Sequence, residues 1–192
     1  VPSGVLTELE ALEREASGCT RCKLAAGRTQ VVFGTGNPEA GLMLVGEGPG
    51  EQEDRQGLPF VGRSGQLLDR LLLEELGIDR RSCYIANVVK CRPPGNRDPE
   101  ADEVAACRPW LERQLELVSP RVVVTLGNFA TKLLLDTTEG ITRLRGRTFP
   151  FRTGVLVPTY HPAAVLRGGP VQVAEMRADL VRAWRAYLSL TS

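Results

Sequence analysis

The sequence predicts an α/β protein, a mostly parallel sheet with helices on both faces. Three observations carry this. Short apolar segments rich in β-branched residues recur at 42–45, 84–89, 121–126 and 155–159. Segments with helical periodicity separate them, giving an αβαβαβαβα order. The strands are nearly continuous apolar runs, as in sheets covered on both sides.

Taken in order, residues 5–16 place Val5, Leu9, Leu12 and Ala16 on one helical stripe. Residues 31–33 read as a short strand, and 42–45, flanked by Gly41 and Gly46, as a buried one. Residues 64–76 form a helix, with Ser64 as N-cap and Gly77 as its stop. A strand at 84–89 follows, then a helix over 99–118 in which Asp98 caps and Pro99 takes the first position. Val122-Val123-Val124-Thr125 marks the strand 121–126. A short helix over 128–135, a strand at 155–159 and a long helix over 170–188 complete the chain. Pro and Gly cluster at 46–65 and 91–99 without forming a domain linker, so residues 1–192 are expected to be one domain.

Composition excludes several classes. Of 192 residues, 42% are hydrophobic and 24% charged, as in ordinary globular proteins. No hydrophobic run exceeds four residues, far below a membrane span. Glu8, Glu10, Glu13 and Glu15 make the first segment unlike a secretory or transit peptide, so a cytoplasmic protein is expected. Five cysteines are an odd number, which argues against a disulfide framework. Arg outnumbers Lys by 21 to 3, which fits a GC-rich or thermophilic source.

Net charge is only +1, but it is unevenly spread. Residues 80–97 carry five basic side chains and no acid, and residues 141–169 do the same. Removing those two segments leaves −9 on the remainder. A basic face on an otherwise acidic chain is the footprint of a nucleic-acid binder, although two solvated loops would give the same pattern.

Open α/β sheets bind ligands beyond the carboxyl ends of their strands. Three such ends bear chemistry: Gly46-Glu47-Gly48-Pro49-Gly50, Asn87 with Lys90-Cys91, and Tyr160-His161-Pro162. Parallel strands would bring all three to one rim. Cys19 and Cys22 form a C-x2-C pair, and Cys91 and Cys107 supply two further thiols. Four cysteines suit zinc or an iron–sulfur cluster. One pair plus two scattered ligands favours [4Fe–4S], since zinc usually draws on two compact pairs. Cys91 and Cys107 as small buried residues are the alternative, and Cys83, opening a strand, is read as buried.

Gly46-Glu47-Gly48-Pro49-Gly50, Glu53-Asp54 and Gly57-Leu58-Pro59-Phe60-Val61-Gly62-Arg63 together resemble the first motif of the uracil-DNA glycosylase superfamily. Asn87-Val88-Val89-Lys90-Cys91-Arg92-Pro93-Pro94 resembles its second block, and His161-Pro162-Ala163-Ala164 its later catalytic motif. The cysteine spacing is similar to that of family 4, the iron–sulfur branch. That branch usually has G-E-A-P-G; here Gly48 replaces the Ala.

The resemblance implies a three-layer α/β/α fold with a central four-stranded parallel sheet. It implies an enzyme that flips uracil out of DNA and hydrolyses the N-glycosidic bond, releasing free uracil and leaving an abasic site; a lesion-scanning enzyme of this size is expected to be a monomer. Phe60 would stack on the base, and the Asn87 amide would read uracil O4 and N3–H together. Gly46 and Gly48 would admit the base against the backbone. Glu47 would line the place of thymine's methyl. His161, the only histidine, would donate to uracil O2 as charge develops there. Arg63, Lys90 and Arg167 would contact the DNA, with Leu166 as a wedge. Cys19, Cys22, Cys91 and Cys107 would hold the [4Fe–4S] cluster.

The best-known branch has G-Q-D-P-Y, whose Asp activates water. Here Gly48 takes that place and Gly50 that of the Tyr. Either Glu47 is the base, or stabilisation of the leaving group suffices without one. No lysine is placed for a Schiff base, which implies a monofunctional enzyme. A glycosylase of broader lesion range and a non-catalytic, metal-stabilised DNA-binding module are the competing readings. Glu47 argues against the first, and Asn87 and His161 against the second.

Overall fold

The computed structural model describes residues 3–192; residues 1 and 2 of the expected single domain lie outside the described residues. Helix α1 (Gly4–Ser17) starts where Ser3 Oγ accepts the Leu6 N–H, and it buries Leu9 and Ala16. The other elements are β1 (Thr35–Gly36), β2 (Leu42–Gly46), α2 (Glu51–Gln56), α3 (Arg63–Leu71), β3 (Tyr84–Asn87), α4 (Ala101–Val118), β4 (Val122–Leu126), α5 (Asn128–Leu135), α6 (Ile141–Leu144), β5 (Phe149–Phe151), β6 (Gly154–Thr159), α7 (Pro162–Gly168) and α8 (Pro170–Thr191).

The sheet has six strands, in the order β1-β3-β2-β4-β6-β5, where four were expected. The pairs β3–β2, β2–β4 and β4–β6 are parallel, and the edge strands β1 and β5 pair antiparallel. Both edges are short, and β5 carries Pro150, which an edge tolerates because no ladder donor is required of it. The strand expected at 31–33 does not form. Val32 instead donates its N–H to Lys90 O at 2.7 Å, and pairing begins at Thr35.

Successive residues of each inner strand bury on opposite faces. Met43, Val45, Tyr84 and Ala86 join one core with Leu9, Trp110 and Leu111 of α1 and α4. Leu42, Leu44, Ile85 and Val124 join the other with Leu68, Val165 and Leu180 of α3, α7 and α8. Apolar side chains are therefore needed at both parities, which is why these strands read as continuous runs.

Several boundaries differ from expectation. Gly62, not Ser64, precedes α3, and α4 begins at Ala101 behind Glu100, not at Pro99 behind Asp98. Glu103 Oε1 accepts the Glu100 N–H at 2.8 Å, a closure of the first turn that outcompetes Asp98. Strand β3 ends at Asn87, two residues early, although Val88 and Val89 still donate to Gly46 O and Glu47 O. The short helices α2 and α7 follow the first and third functional segments directly. From β2 the chain proceeds to β3 on one side and later to β4 on the other, which makes a topological switch point at the ends of β2 and β4. Among the described residues no helix is long and apolar enough to cross a membrane.

Candidate active site

A cavity of about 390 Å³ opens beyond the carboxyl ends of β2, β3 and β6, with Glu47, Gly48, Phe60, Asn87, His161 and Arg167 on its walls. Gly46 ends β2 in register with Asn87 at the end of β3. A Cβ built on Gly46 would lie 2.4 Å from Phe60 Cζ and 2.5 Å from Asn87 Oδ1. Only glycine lets both side chains converge there. Asn87 is 2% exposed, and its Oδ1 is buried with no hydrogen-bond partner. Buried polar atoms are rarely left so, and the Asn87 side chain lines the cavity.

Phe60 is held against its own preference. Its φ of +53° lies in the left-handed region, which is costly for an aromatic residue. Arg80 fixes it by donating to Pro59 O at 3.0 Å and to Phe60 O, while its Nε pairs with Asp69 at 2.8 Å. A Cβ on Gly65 would come within 1.8 Å of Phe60 O, so α3 approaches only because that residue is glycine. On the other side Glu53 accepts the N–H groups of Val61 and Gly62, both at 3.0 Å, and of Gly50 at 3.2 Å. One carboxylate thus ties the two halves of the first motif together. The motif contains Glu53, but nothing in its local sequence reveals those partners. Arg80 is twenty residues from Phe60, and in the sequence it is one of the five basic side chains of residues 80–97.

His161 is the residue before α7, and its Nδ1 accepts the Ala163 N–H at 3.1 Å. The ring proton therefore sits on Nε2. Burial, and then the charge of Arg167, push its pKa down to about 4, so the imidazole is neutral in ordinary conditions. Its ring lies 5.6 Å from that of Phe60, inclined by 32°. Gly127, at φ +96°, gives room for this, since a Cβ there would stand 3.0 Å from His161 Cβ.

Glu47 is half-buried in the cavity wall. Desolvation, and then the neighbouring Asp98, push its pKa up to about 7. Asp98, expected to cap a helix, lines the cavity instead. Arg97 holds that turn: it grips Glu103 through two 2.8 Å contacts and donates to Asp98 O at 2.9 Å.

Cys19, Cys22, Cys91 and Cys107 line one small second cavity, with Trp110 beside them. Arg28 donates to Cys91 Sγ at 3.5 Å and to Cys19 O at 2.5 Å, and the Lys90 N–H donates to Cys107 Sγ at 3.2 Å. Among the described residues no group of three Cys, His, Asp or Glu side chains is gathered closely enough to hold a single ion. Cys83 is fully buried in the opposite core.

The DNA-contacting set divides. Arg63 is exposed at the start of α3, and Leu166 and Arg167 near the end of α7; of the three, Arg167 lines the cavity. Lys90 is not on the surface. It is 1% exposed, and its ammonium donates to Asn87 O at 2.8 Å and to Gln114 Oε1 at 2.5 Å, so it does not reach DNA. The loop after β3 turns it inward, where those acceptors compensate its burial. Much of the remaining basic charge is also internally matched. Arg81 pairs with Asp79, Arg97 with Glu103, Arg145 with Asp179 and Arg152 with Glu112. The two basic segments are thus less of a DNA-binding face than their composition implied.

The profile of the uracil DNA glycosylase superfamily matches residues 33–186. A type-4 uracil-DNA glycosylase of Sulfurisphaera tokodaii is 45% identical over 169 residues, 84% of this chain and 77% of that protein. The type-4 enzyme of Saccharolobus solfataricus is 44% identical over 175 residues, covering 87% and 81%. That of Thermotoga maritima is 46% identical over 161 residues, 83% of each chain. The motif residues surround one cavity and the similarity runs through all of them: the chain belongs to the uracil-DNA glycosylase superfamily, in its type-4 branch.

Proposed function

We propose that the protein is a monofunctional uracil-DNA glycosylase that acts as a monomer on DNA in base-excision repair, in a reducing compartment such as the cytoplasm. Residues 1–192 act as one domain around the inner parallel strands of the sheet. The observation that carries the reading is the buried, partnerless Asn87 Oδ1 at the wall of a cavity shared with Phe60 and His161. Uracil N3–H satisfies that oxygen, and the same amide's N–H groups donate to O4. Cytosine presents the reverse pattern and leaves both groups unpaired, a strong basis for rejection.

Phe60 stacks on the flipped base and His161 donates from Nε2 to O2. As the bond between N1 and C1′ breaks, its electron pair moves onto the base, and the neutral imidazole stabilises the resulting anion. Water then adds to the electron-poor C1′ and releases its proton to solvent. Glu47 forms a recognition wall, and its carboxylate, once ionised, supports the cationic sugar. Arg63 and Arg167 hold phosphates, and Leu166 enters the stack the base has left. Among the described residues no lysine lines the cavity, so a Schiff base has no donor there.

Cys19, Cys22, Cys91 and Cys107 hold a [4Fe–4S] cluster. Support comes from their shared cavity and from the N–H donors of Arg28 and Lys90 directed at sulfur, a usual feature around such thiolates. When bound, the group cross-links the end of α1 to the loop after β3 and to α4.

The test is a single-turnover assay on matched oligonucleotides carrying one uracil, thymine or hypoxanthine, scored by alkaline cleavage. Release of uracil alone is expected. Release of hypoxanthine as well would move the protein to a broader lesion class, and no release with DNA still bound would overturn the catalytic reading.

A further inference from the structure

We infer that Lys90 is a positioning residue for uracil recognition, one that fastens the base-reading Asn87 to the cysteine cavity. The inference rests on the uracil-reading role proposed for Asn87.

Every polar group of Lys90 is engaged. Its ammonium donates to Asn87 O at 2.8 Å and to Gln114 Oε1 at 2.5 Å, its amide donates to Cys107 Sγ at 3.2 Å, and its carbonyl accepts the Val32 N–H at 2.7 Å. Gln114 passes the restraint on, donating to Phe33 O at 2.8 Å and to Tyr84 Oη at 3.2 Å. The ammonium also lies 5.8 Å from the centroid of the Phe33 ring. A lysine buried to 1% exposure is rare without a carboxylate beside it. Among the described residues none pairs with it; neutral oxygens, an aromatic face and the cysteine side surround it instead.

The placement gives this unusual burial a use. Asn87 is the last residue of β3, and its side-chain oxygen has no protein partner to orient it. The peptide after it is held on one side, where the Val88 N–H donates to Gly46 O at 2.9 Å; its carbonyl, on the other side, accepts from the Lys90 ammonium. Lys90 holds it from three residues on, and is itself held through Cys107. The chain from Asn87 to Cys91 therefore spans both sites, and movement at one end is transmitted to the other.

The experiment is a double-mutant cycle on the intact protein with Lys90→Met and Asn87→Ala. Uracil excision is measured in single turnover, inhibition by free uracil is measured alongside, and visible absorbance and iron content report on the cysteine site. Lys90→Met is expected to slow excision roughly tenfold or more, and in the Asn87→Ala background to cost less than about twofold. Inhibition by free uracil should weaken, while affinity for uracil-free DNA stays unchanged. Losses that multiply in the double variant, or a Lys90→Met protein with normal excision and inhibition, would overturn the inference. If Lys90→Met does not fold, Gln114→Met removes one acceptor of the same ammonium and enters the same cycle under the same criteria. Failure of the wild type to excise uracil would instead refute the function itself.

Discussion

The Nδ1 atom of His161 accepts the backbone N–H of Ala163 at 3.1 Å, which leaves the imidazole only its Nε2–H to offer the cavity. Because the pKa is pushed down to about 4, mainly by burial and then by Arg167, that donor is present throughout the ordinary pH range. The sign is definite: a cationic imidazole would be lost as pH rose through 4, whereas a neutral one is complete above it. The single-turnover rate should therefore show no fall between pH 5 and 6.5. His161→Ala should lower it by about 10²–10³-fold, the usual effect of removing one oxyanion donor. A rate that declines with pH across that interval would contradict the neutral-donor role.

Glu47 should govern the neutral range. Burial, and then Asp98, raise its pKa to about 7, so the carboxylate is protonated below that pH and ionised above it. Excision should rise with pH through about 7, and Glu47→Gln should remove the rise. Asp98→Asn takes away a like charge and should move the inflection to lower pH. A loss beyond about 10³-fold in Glu47→Gln would indicate that this residue is the water-activating base rather than a recognition wall.

Arg80 keeps Phe60 at φ +53° through the carbonyls of Pro59 and Phe60. Arg80→Met should destabilise the protein by about 1–3 kcal/mol, in the range for hydrogen bonds to a charged group. Because Phe60 is released as well, KM for uracil DNA should rise more than Tm alone explains. Chemical denaturation together with steady-state kinetics would separate the two effects.

Cysteine substitutions should split by location. Cys19→Ser, Cys22→Ser, Cys91→Ser or Cys107→Ser should each lower iron content and Tm. Cys83→Ser should leave iron unchanged, since that thiol lies in the core on the other face of the sheet. Metal analysis of the five purified variants would check this.

DNA affinity should depend on the exposed arginines. Arg63→Ala and Arg167→Ala should each reduce the slope of log affinity against log salt by about 0.9, the change expected for one lost phosphate contact. Lys90→Met should leave the slope alone because that side chain is enclosed.

The sequence by itself determined the order of the four inner strands and of the longer helices, because periodicity is local and the inner strands bury apolar residues on both faces. It also marked the residues that meet in the cavity, since a parallel sheet sends Gly46, Asn87 and the segment before α7 to one rim. Tertiary structure decided what depends on partners distant in the chain. The edge strands β1 and β5 are too short to show a period and exist because β3 and β6 offer them a ladder. Asp98 lines a cavity because Glu103 closes the first turn of α4 in its stead. Arg80 became a clamp and Lys90 an internal strut. A charged side chain looks the same in sequence whether it faces water or a buried carbonyl, and only packing sets which acceptor stands within 3 Å of it.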